Sequence, residues 1–558
     1  MSLTEVSGSS TPDSSSGSQT SAAQTPSTRT QRRVAPLAAL LLRLHFYAGI
    51  LVAPFLVVAA LTGLAYTVTP QVDQIRYGDQ LTVASVGDQP RPLAEQVTAA
   101  RAAHPDGTLV AVAPGAGEQT TKVVFALPEL GDKQHTVYVD PYSGEVRGQL
   151  TTWFGSTPAT TWLDDLHRNL HLGDLGRHYS EIAASWLWVL ALGGIILWWR
   201  RRRTGRGRVT HLLVPDLTAG KGVRRTRGWH ATTGVWLAVG LLILSATGLT
   251  WSRFAGGNFA AGLDALDARR PALTTSLIGA PADGGGEHQH GGAPSSGAAD
   301  PATFDRVLAV ARDAGLSGPV EISPGEPGEA WAVAQTDNTW PIRLDQAAVD
   351  PETGTVTARN DFADWPVLAK LSALGVQAHM GVLFGTANQI LLAALAIGLL
   401  CVIVWGYRMW WQRRPTRGDR RAPVGAPPAR GALRGLPWWA LLAGGPVVAA
   451  VGWALPWLGV TLLGFLVLDV ALGAFARRRA SGRTDSAGPH SRQSDNAGPD
   501  SRQSDNAGPD SRQSDSAGPD SRRNDSRRND SRQNDSGRTD SGQPDSGPRG
   551  GAAAPASR

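Results

Sequence analysis

His45-Phe-Tyr-Ala-Gly49-Ile-Leu-Val-Ala-Pro54-Phe-Leu-Val-Val-Ala-Ala-Leu-Thr62-Gly63-Leu64 is an apolar run long enough to cross a bilayer, and it recurs as His230-Ala-Thr-Thr-Gly234-Val-Trp-Leu-Ala-Val-Gly-Leu-Leu-Ile-Leu-Ser-Ala-Thr247-Gly248-Leu249. The histidines, the two glycines and the threonine superpose at one offset without a gap. Shared hydrophobicity would match the leucines but not these polar and small residues, so the chain carries an internal duplication. The place where the two copies meet is the first place to look for function.

Around this stretch the 558 residues are 42% hydrophobic, and the apolar residues are clustered rather than interleaved with charge. Roughly 20 residues at a 1.5 Å rise span the ~30 Å hydrocarbon core. Six runs qualify, at about 36–68, 182–199, 230–251, 382–407, 437–454 and 457–475. The first is too long, and too poor in a small-residue cleavage site, for a signal peptide, and reads as a retained helix with a kink at Pro54. The fold class expected is an α-helical polytopic membrane protein with about six transmembrane helices. Four form a duplicated core and the last two, 437–475, a hairpin outside the repeat whose only acid is Asp469.

The formal net charge is +6, and its distribution sets orientation. Residues 200–228 hold ten Lys and Arg against one acid, Asp216, and 408–436 is similarly basic. Both are expected to be cytoplasmic loops, with Arg32, Arg33 and Arg43 before the first span and Arg477, Arg478 and Arg479 after the last in agreement. Basic runs beside membrane helices are explained by topology, so no nucleic-acid partner is inferred. Both termini then face the cytoplasm at a cell (inner) membrane. The only cysteine, Cys401, excludes intramolecular disulfides and cysteine-ligated iron–sulfur or zinc sites.

The domains follow in order. Residues 1–33 read as a disordered cytoplasmic tail, 34–68 as the first span, and 69–180 as a small extracytoplasmic domain. In that domain a helix at Pro92–His104 precedes strand-like pieces at 109–113, 122–126, 136–140 and 145–150, the last two joined by Val139-Asp140-Pro141-Tyr142-Ser143-Gly144. The second span is placed at 181–199, the basic loop at 200–228 and the third span at 229–251. The second outer domain, 252–381, repeats the plan with a helix at Ala302–Ala314 and the turn Val349-Asp350-Pro351-Glu352-Thr353-Gly354. Its Gly-rich linker carries His288 and His290, a weak metal site or a flexible spacer. The fourth span, 382–407, leads into the second basic loop and the hairpin. Residues 476–558, built on a ten-residue unit alternating Arg and Asp, lack the apolar residues to fold.

Four of the twelve histidines occupy equivalent places in the two copies. His45 and His230 begin the first and third spans. His171 and His379 each stand two residues before a glycine, Gly173 and Gly381, ahead of the second and fourth. About a twofold axis along the membrane normal they yield two bis-histidine sites. His167, one turn before His171, shares its helical face and could replace it, while His178 is a weaker candidate. A neutral imidazole among apolar helices needs a partner for its ring nitrogens, or it costs several kcal/mol. Two haem b groups meet that need better than zinc, which wants a third or fourth ligand. Gly49, Gly234, Gly173 and Gly381 would let a flat macrocycle approach. The alternative is that each histidine is interfacial and hydrogen-bonded to a neighbour.

Arg43-Leu44-His45 with Gly49 and Thr62-Gly63, Trp229-His230 with Gly234 and Thr247-Gly248, Leu166-His167-Arg168, His379-Met380-Gly381 and the two Val-Asp-Pro-x-x-Gly turns together resemble the PepSY-associated transmembrane family. The resemblance covers roughly residues 36–412. That family includes iron-regulated membrane proteins and ferric-siderophore reductases. It implies two PepSY-like α+β domains outside the membrane and haem-dependent electron transfer to an external ferric or ferric-siderophore acceptor. The short basic loops lack a glycine-rich dinucleotide fingerprint, so the donor would be a quinol or a separate reductase. A non-enzymatic protein that inhibits a peptidase or senses the envelope is the competing class. A transporter is disfavoured because the four core spans hold no central acid.

Overall fold

The computed structural model describes residues 36–203, 214–215, 220–277, 299–413 and 436–484. The N-terminal tail, the linker with His288 and His290, most of both basic loops and the repeat tail beyond Thr484 lie outside the described residues.

The first span is broken. Helices α1 (Pro36–Leu51) and α2 (Ala53–Tyr66) meet at a 57° bend. Pro54 has no N–H for the carbonyl of Ile50, and its ring crowds that carbonyl, so the helix cannot run on. Tyr407 donates its hydroxyl to Ile50 O at 3.0 Å, satisfying the group that proline orphans inside the membrane. The kink expected at Pro54 is therefore real and is held by a side chain from another span.

The chain continues through α3 (Thr69–Leu81) and α4 (Leu93–Ala103) into strands β1 (Thr108–Ala113), β2 (Thr121–Ala126), β3 (Gln134–Val139) and β4 (Val146–Thr152). Asp140 accepts from the backbone N–H of Tyr142 at 2.9 Å and of Ser143 at 3.2 Å, and Gly144 adopts φ 75°, which closes the β3–β4 turn. Next come α5 (Pro158–Asn169), the long α6 (Gly173–Arg203) and its neighbour α7 (Val223–Thr250), then α8 (Phe254–Ala265). The second module repeats the first, with α9 (Pro301–Asp313), β5 (Val320–Ser323), β6 (Trp331–Gln335), β7 (Gln346–Val349) and β8 (Val356–Asn360). Asp350 and Gly354 rebuild the same turn. Finally α10 (Val367–Met380), α11 (Thr386–Gln412), α12 (Trp438–Ala454) and α13 (Pro456–Thr484) complete the described chain.

The two outer modules are not separate domains. Their strands form one eight-stranded sheet in the order β4-β3-β2-β1-β5-β6-β7-β8, joined where Val112 on β1 pairs antiparallel with Ile322 on β5. Helices α4 and α9 cover one face, and Leu93, Val97, Phe304 and Val307 share a single core with Val112, Val137, Ile322 and Val333. Asp305 of α9 accepts from the first N–H groups of α4, Leu93 at 2.7 Å and Ala94 at 2.9 Å. One module thus caps a helix of the other.

Among the described residues four helices are long and apolar enough to cross a membrane, α6, α7, α11 and α13, and the bent α1–α2 pair makes five. Six spans were expected, but α12 has 17 residues with Pro446 inside it. At 1.5 Å per residue it is about 25 Å long, short of the ~30 Å core. Lipid-facing side chains such as Val239 (69% exposed) and Val404 (61%) line the outer surface of the bundle, which only a hydrocarbon solvent would tolerate on this scale.

The hairpin is less of an accessory than its sequence implies. Arg43, counted above among loop charges, is buried in α1 and ion-paired with Asp469 of α13. Trp186 Nε1 donates to Thr461 Oγ1 at 2.8 Å, and Leu458 joins the core of the bundle. Helix α6 also begins eight residues earlier than expected. Glu181 lies within it, buried, and accepts from Phe254 N–H at 3.1 Å and Ala255 N–H at 3.0 Å at the start of α8.

Candidate functional site: two histidine pairs in the bundle

The duplication carries two offsets. Helices α1–α2 map onto α7 by adding 185 to the residue number, and α5–α6 map onto α10–α11 by adding 212, which carries Trp198-Trp199 onto Trp410-Trp411. Under these offsets His45 equals His230 and His167 equals His379.

At the arginine-rich end His45 of α1 meets His230 of α7 with ring centres 6.3 Å apart. They line a cavity of about 1190 Å³ whose wall includes Gly49 and Gly234. A Cβ on either glycine would enter open space, so both widen the cavity as expected. His230 Nδ1 lies 2.9 Å from Val402 O. A carbonyl only accepts, so Nδ1 carries the proton and Nε2 keeps a free lone pair. Among the described residues His45 Nδ1 is buried with no hydrogen bond of full geometry, and the carbonyl it faces is that of Leu190, which the offset of 212 carries onto Val402.

At the sheet end the partner of His379 is His167. Their ring centres are 6.5 Å apart, and both line a smaller cavity of about 230 Å³. Thr62 and Thr247, equivalent in the repeat, hold the two rings. Thr62 donates its hydroxyl to Val58 O at 2.8 Å, one turn back, so its oxygen accepts the Nδ1 proton of His167 at 2.9 Å. Thr247 does the same, donating to Ile243 O at 2.8 Å and accepting from His379 Nδ1 at 2.7 Å. The threonine therefore fixes the tautomer, and Nε2 is again the basic nitrogen. Gly63 follows because a Cβ there would stand 3.1 Å from His167 Cε1. Tyr179 donates its hydroxyl to His167 O and anchors the end of α5.

His171 is not at this site, which corrects the sequence expectation. Helix α5 ends at Asn169, and both Leu170 and His171 take φ 56°. The left-handed pair turns the chain outward, leaving His171 exposed with its ring 4.9 Å from Trp162. The Gly173 and Gly381 expected beside the rings do not line the sheet-end cavity, where Gly63 and Gly248 stand instead. His178 accepts from Trp457 Nε1 at 3.0 Å and belongs to the hairpin contact. The offset of 212 was the available signal for His167, since His171 would require 208. The two threonines were visible in the repeat but had no assigned role.

Two imidazoles on opposite sides of one metal, with bonds of roughly 2 Å, bring their ring centres to roughly 6–6.5 Å. Both pairs have this spacing. In three of the four rings the hydrogen bond at Nδ1 leaves Nε2 as the basic nitrogen, the arrangement that orients metal-bound histidines. Among the described residues no group of three or more His, Cys, Asp or Glu is placed to hold a metal ion. Two imidazoles per site could hold a metal already carried in a ring better than a bare zinc ion.

A family model described as the PepSY-associated TM region matches residues 42–413. No curated protein matches the chain.

Proposed function

The chain belongs to the PepSY-associated transmembrane family, a multi-pass membrane protein, and from that premise we propose that it carries electrons across a cell membrane through two bis-histidine haem b sites. His45 and His230 would hold the group near the arginine-rich, cytoplasmic end, and His167 with His379 the group near the extracytoplasmic sheet. When bound, haem supplies reversible one-electron chemistry at iron. The donor would be a quinol or a separate reductase, oxidised as a ferric chelate such as a siderophore complex is reduced on the far side, in iron acquisition. Both termini would lie in the cytoplasm, which requires the short α12 to return the chain to the outer side, where Trp453 O and Ala454 O accept from Asn258 Nδ2 of α8.

The observation that carries this reading is the matched tautomer at the sheet end. Two threonines seventeen residues along from the basic-end histidines, 62 from 45 and 247 from 230, each accept a hydrogen bond from the Nδ1–H of a ring, which would leave Nε2 for a metal. Along the unbroken α7, seventeen residues at a 1.5 Å rise put about 25 Å between the two levels. That nearly spans the ~30 Å core, so one site serves each face.

An absorption spectrum of the detergent-purified protein from haem-replete cells tests this. Sharp reduced bands are expected, half lost in His45→Ala or His230→Ala and the other half in His167→Ala or His379→Ala. His171→Ala should keep them all. A colourless preparation, or loss in His171→Ala but not His167→Ala, refutes the assignment.

A further inference from the structure

The two cavities share a wall. Leu56, Leu187, Leu241 and Leu399 line both of them, one residue from each of α2, α6, α7 and α11. The offset of 185 carries Leu56 onto Leu241, and the offset of 212 carries Leu187 onto Leu399. The wall is thus built by the duplication itself, as two symmetric pairs. Leu56 is 3% exposed and Leu241 6%, and all four take part in one apolar cluster of the bundle. Along α7 the layer stands eleven residues beyond His230 and six before Thr247, about 16 and 9 Å at 1.5 Å per residue.

We propose that this four-leucine layer selects the charge carrier, closing the bundle to water, protons and ions between the two histidine pairs while remaining thin enough for electrons to cross. The inference rests on the electron-transfer reading for the electron half of the statement. The barrier half stands on the wall alone. Each cavity opens onto charged groups at its own end of the bundle. Arg201, Arg224, Arg227 and Arg413 line the one, and Asp164, Arg168 and Arg177 the other. Without a continuous apolar wall these would meet through a wetted path, and a proton leak would collapse the gradient across the membrane. Leucine offers no donor or acceptor to carry a proton or to hold a bridging water, which needs two to four polar partners. An electron needs none of these. Duplicated leucines at the one level common to both cavities match that demand, since a polar residue at any of the four would open a quarter of the plate.

The test reconstitutes the full chain into vesicles that enclose a pH-sensitive dye, with a potassium gradient and valinomycin to drive protons inward. Wild type should leak no faster than protein-free vesicles. Leu56→Ser with Leu241→Ser should raise the rate at least tenfold, and Val239→Ser, lipid-facing on the same helix, should leave it unchanged. If the double variant does not fold, single Leu241→Ser replaces it, with a smaller rise of about threefold expected from the one polar group it adds. A folded variant as tight as wild type, or a wild type that leaks, overturns the barrier. The reading needs no bound haem, so a variant leak in a colourless preparation upholds the wall and refutes the electron relay, whereas a haem-loaded protein with tight variants does the reverse.

Discussion

Replacing Thr247 by valine keeps the side-chain shape and removes the oxygen that holds His379. The bond lost is the 2.7 Å contact to Nδ1, and Thr247 also gives up its donation to Ile243 O. A buried N–H left without an acceptor costs about 1–3 kcal/mol, which is the stability loss expected for the protein without haem. The effect on the cofactor is a separate quantity. Part of that cost is present with or without the metal, so affinity changes only through the tautomer and basicity of Nε2. Outer partners of metal-bound histidines typically contribute 10–100-fold in affinity, equivalent to about 1.4–2.7 kcal/mol. Haem titration of the apoprotein, followed by Soret absorbance in a His45→Ala background so that only the sheet-end site is read, measures it. Thr62→Val should match Thr247→Val through the symmetric 2.9 Å bond to His167. An unchanged sheet-end affinity in both variants, or an equal loss at the site of His230, refutes the role given to the threonines.

Two further outcomes follow from groups away from the histidines. Asp469→Asn leaves the Arg43 guanidinium, 3% exposed, without its anion, and breaking a buried pair costs about 3–5 kcal/mol. The lower end is expected because Asp469 is 14% exposed, and Arg43→Met with Asp469→Leu should recover most of the loss in thermal unfolding in detergent. On the sheet, burial holds the carboxyl of Glu321 above its ordinary 4.5, with Lys122 pulling it back. The folded chain then binds that proton more tightly than the unfolded chain, so the contribution is complete below 4.5 and is lost as pH rises through the folded value. Glu321→Gln should flatten the fall in melting temperature between about pH 4 and 7; an unchanged slope would assign it to other groups.

The duplicated spans, the Pro54 kink and the strand modules could be read from the sequence because each rests on local rules, a period, a missing N–H or a turn that needs Asp and Gly. His45 and His230 came from the same one-offset match. The sheet-end pair was harder. By sequence His171-Leu-Gly173 aligns with His379-Met-Gly381, whereas the chain ends α5 on two left-handed residues and Gly381 alone caps α10 at φ 83°. Similar short strings therefore sit in different backbone conformations. Nothing local marks β1 as a partner of β5, since the two strands lie some 200 residues apart and pair through one registered position. Arg43 illustrates the same limit. By composition it is a positive flank of a span, and only packing of α13 against α1 reveals its acid.

The junction between β1 and β5 has a consequence for how such a chain arose. Each half alone would present β1 or β5 as an open strand edge, and an open edge seeks another of its kind. Two half-length chains meeting antiparallel at that edge would make a closed twofold dimer. The present molecule holds the same arrangement within one chain, and its halves differ: Glu95 stands where the offset of 210 places the equivalent of Asp305, and among the described residues only the first span is broken.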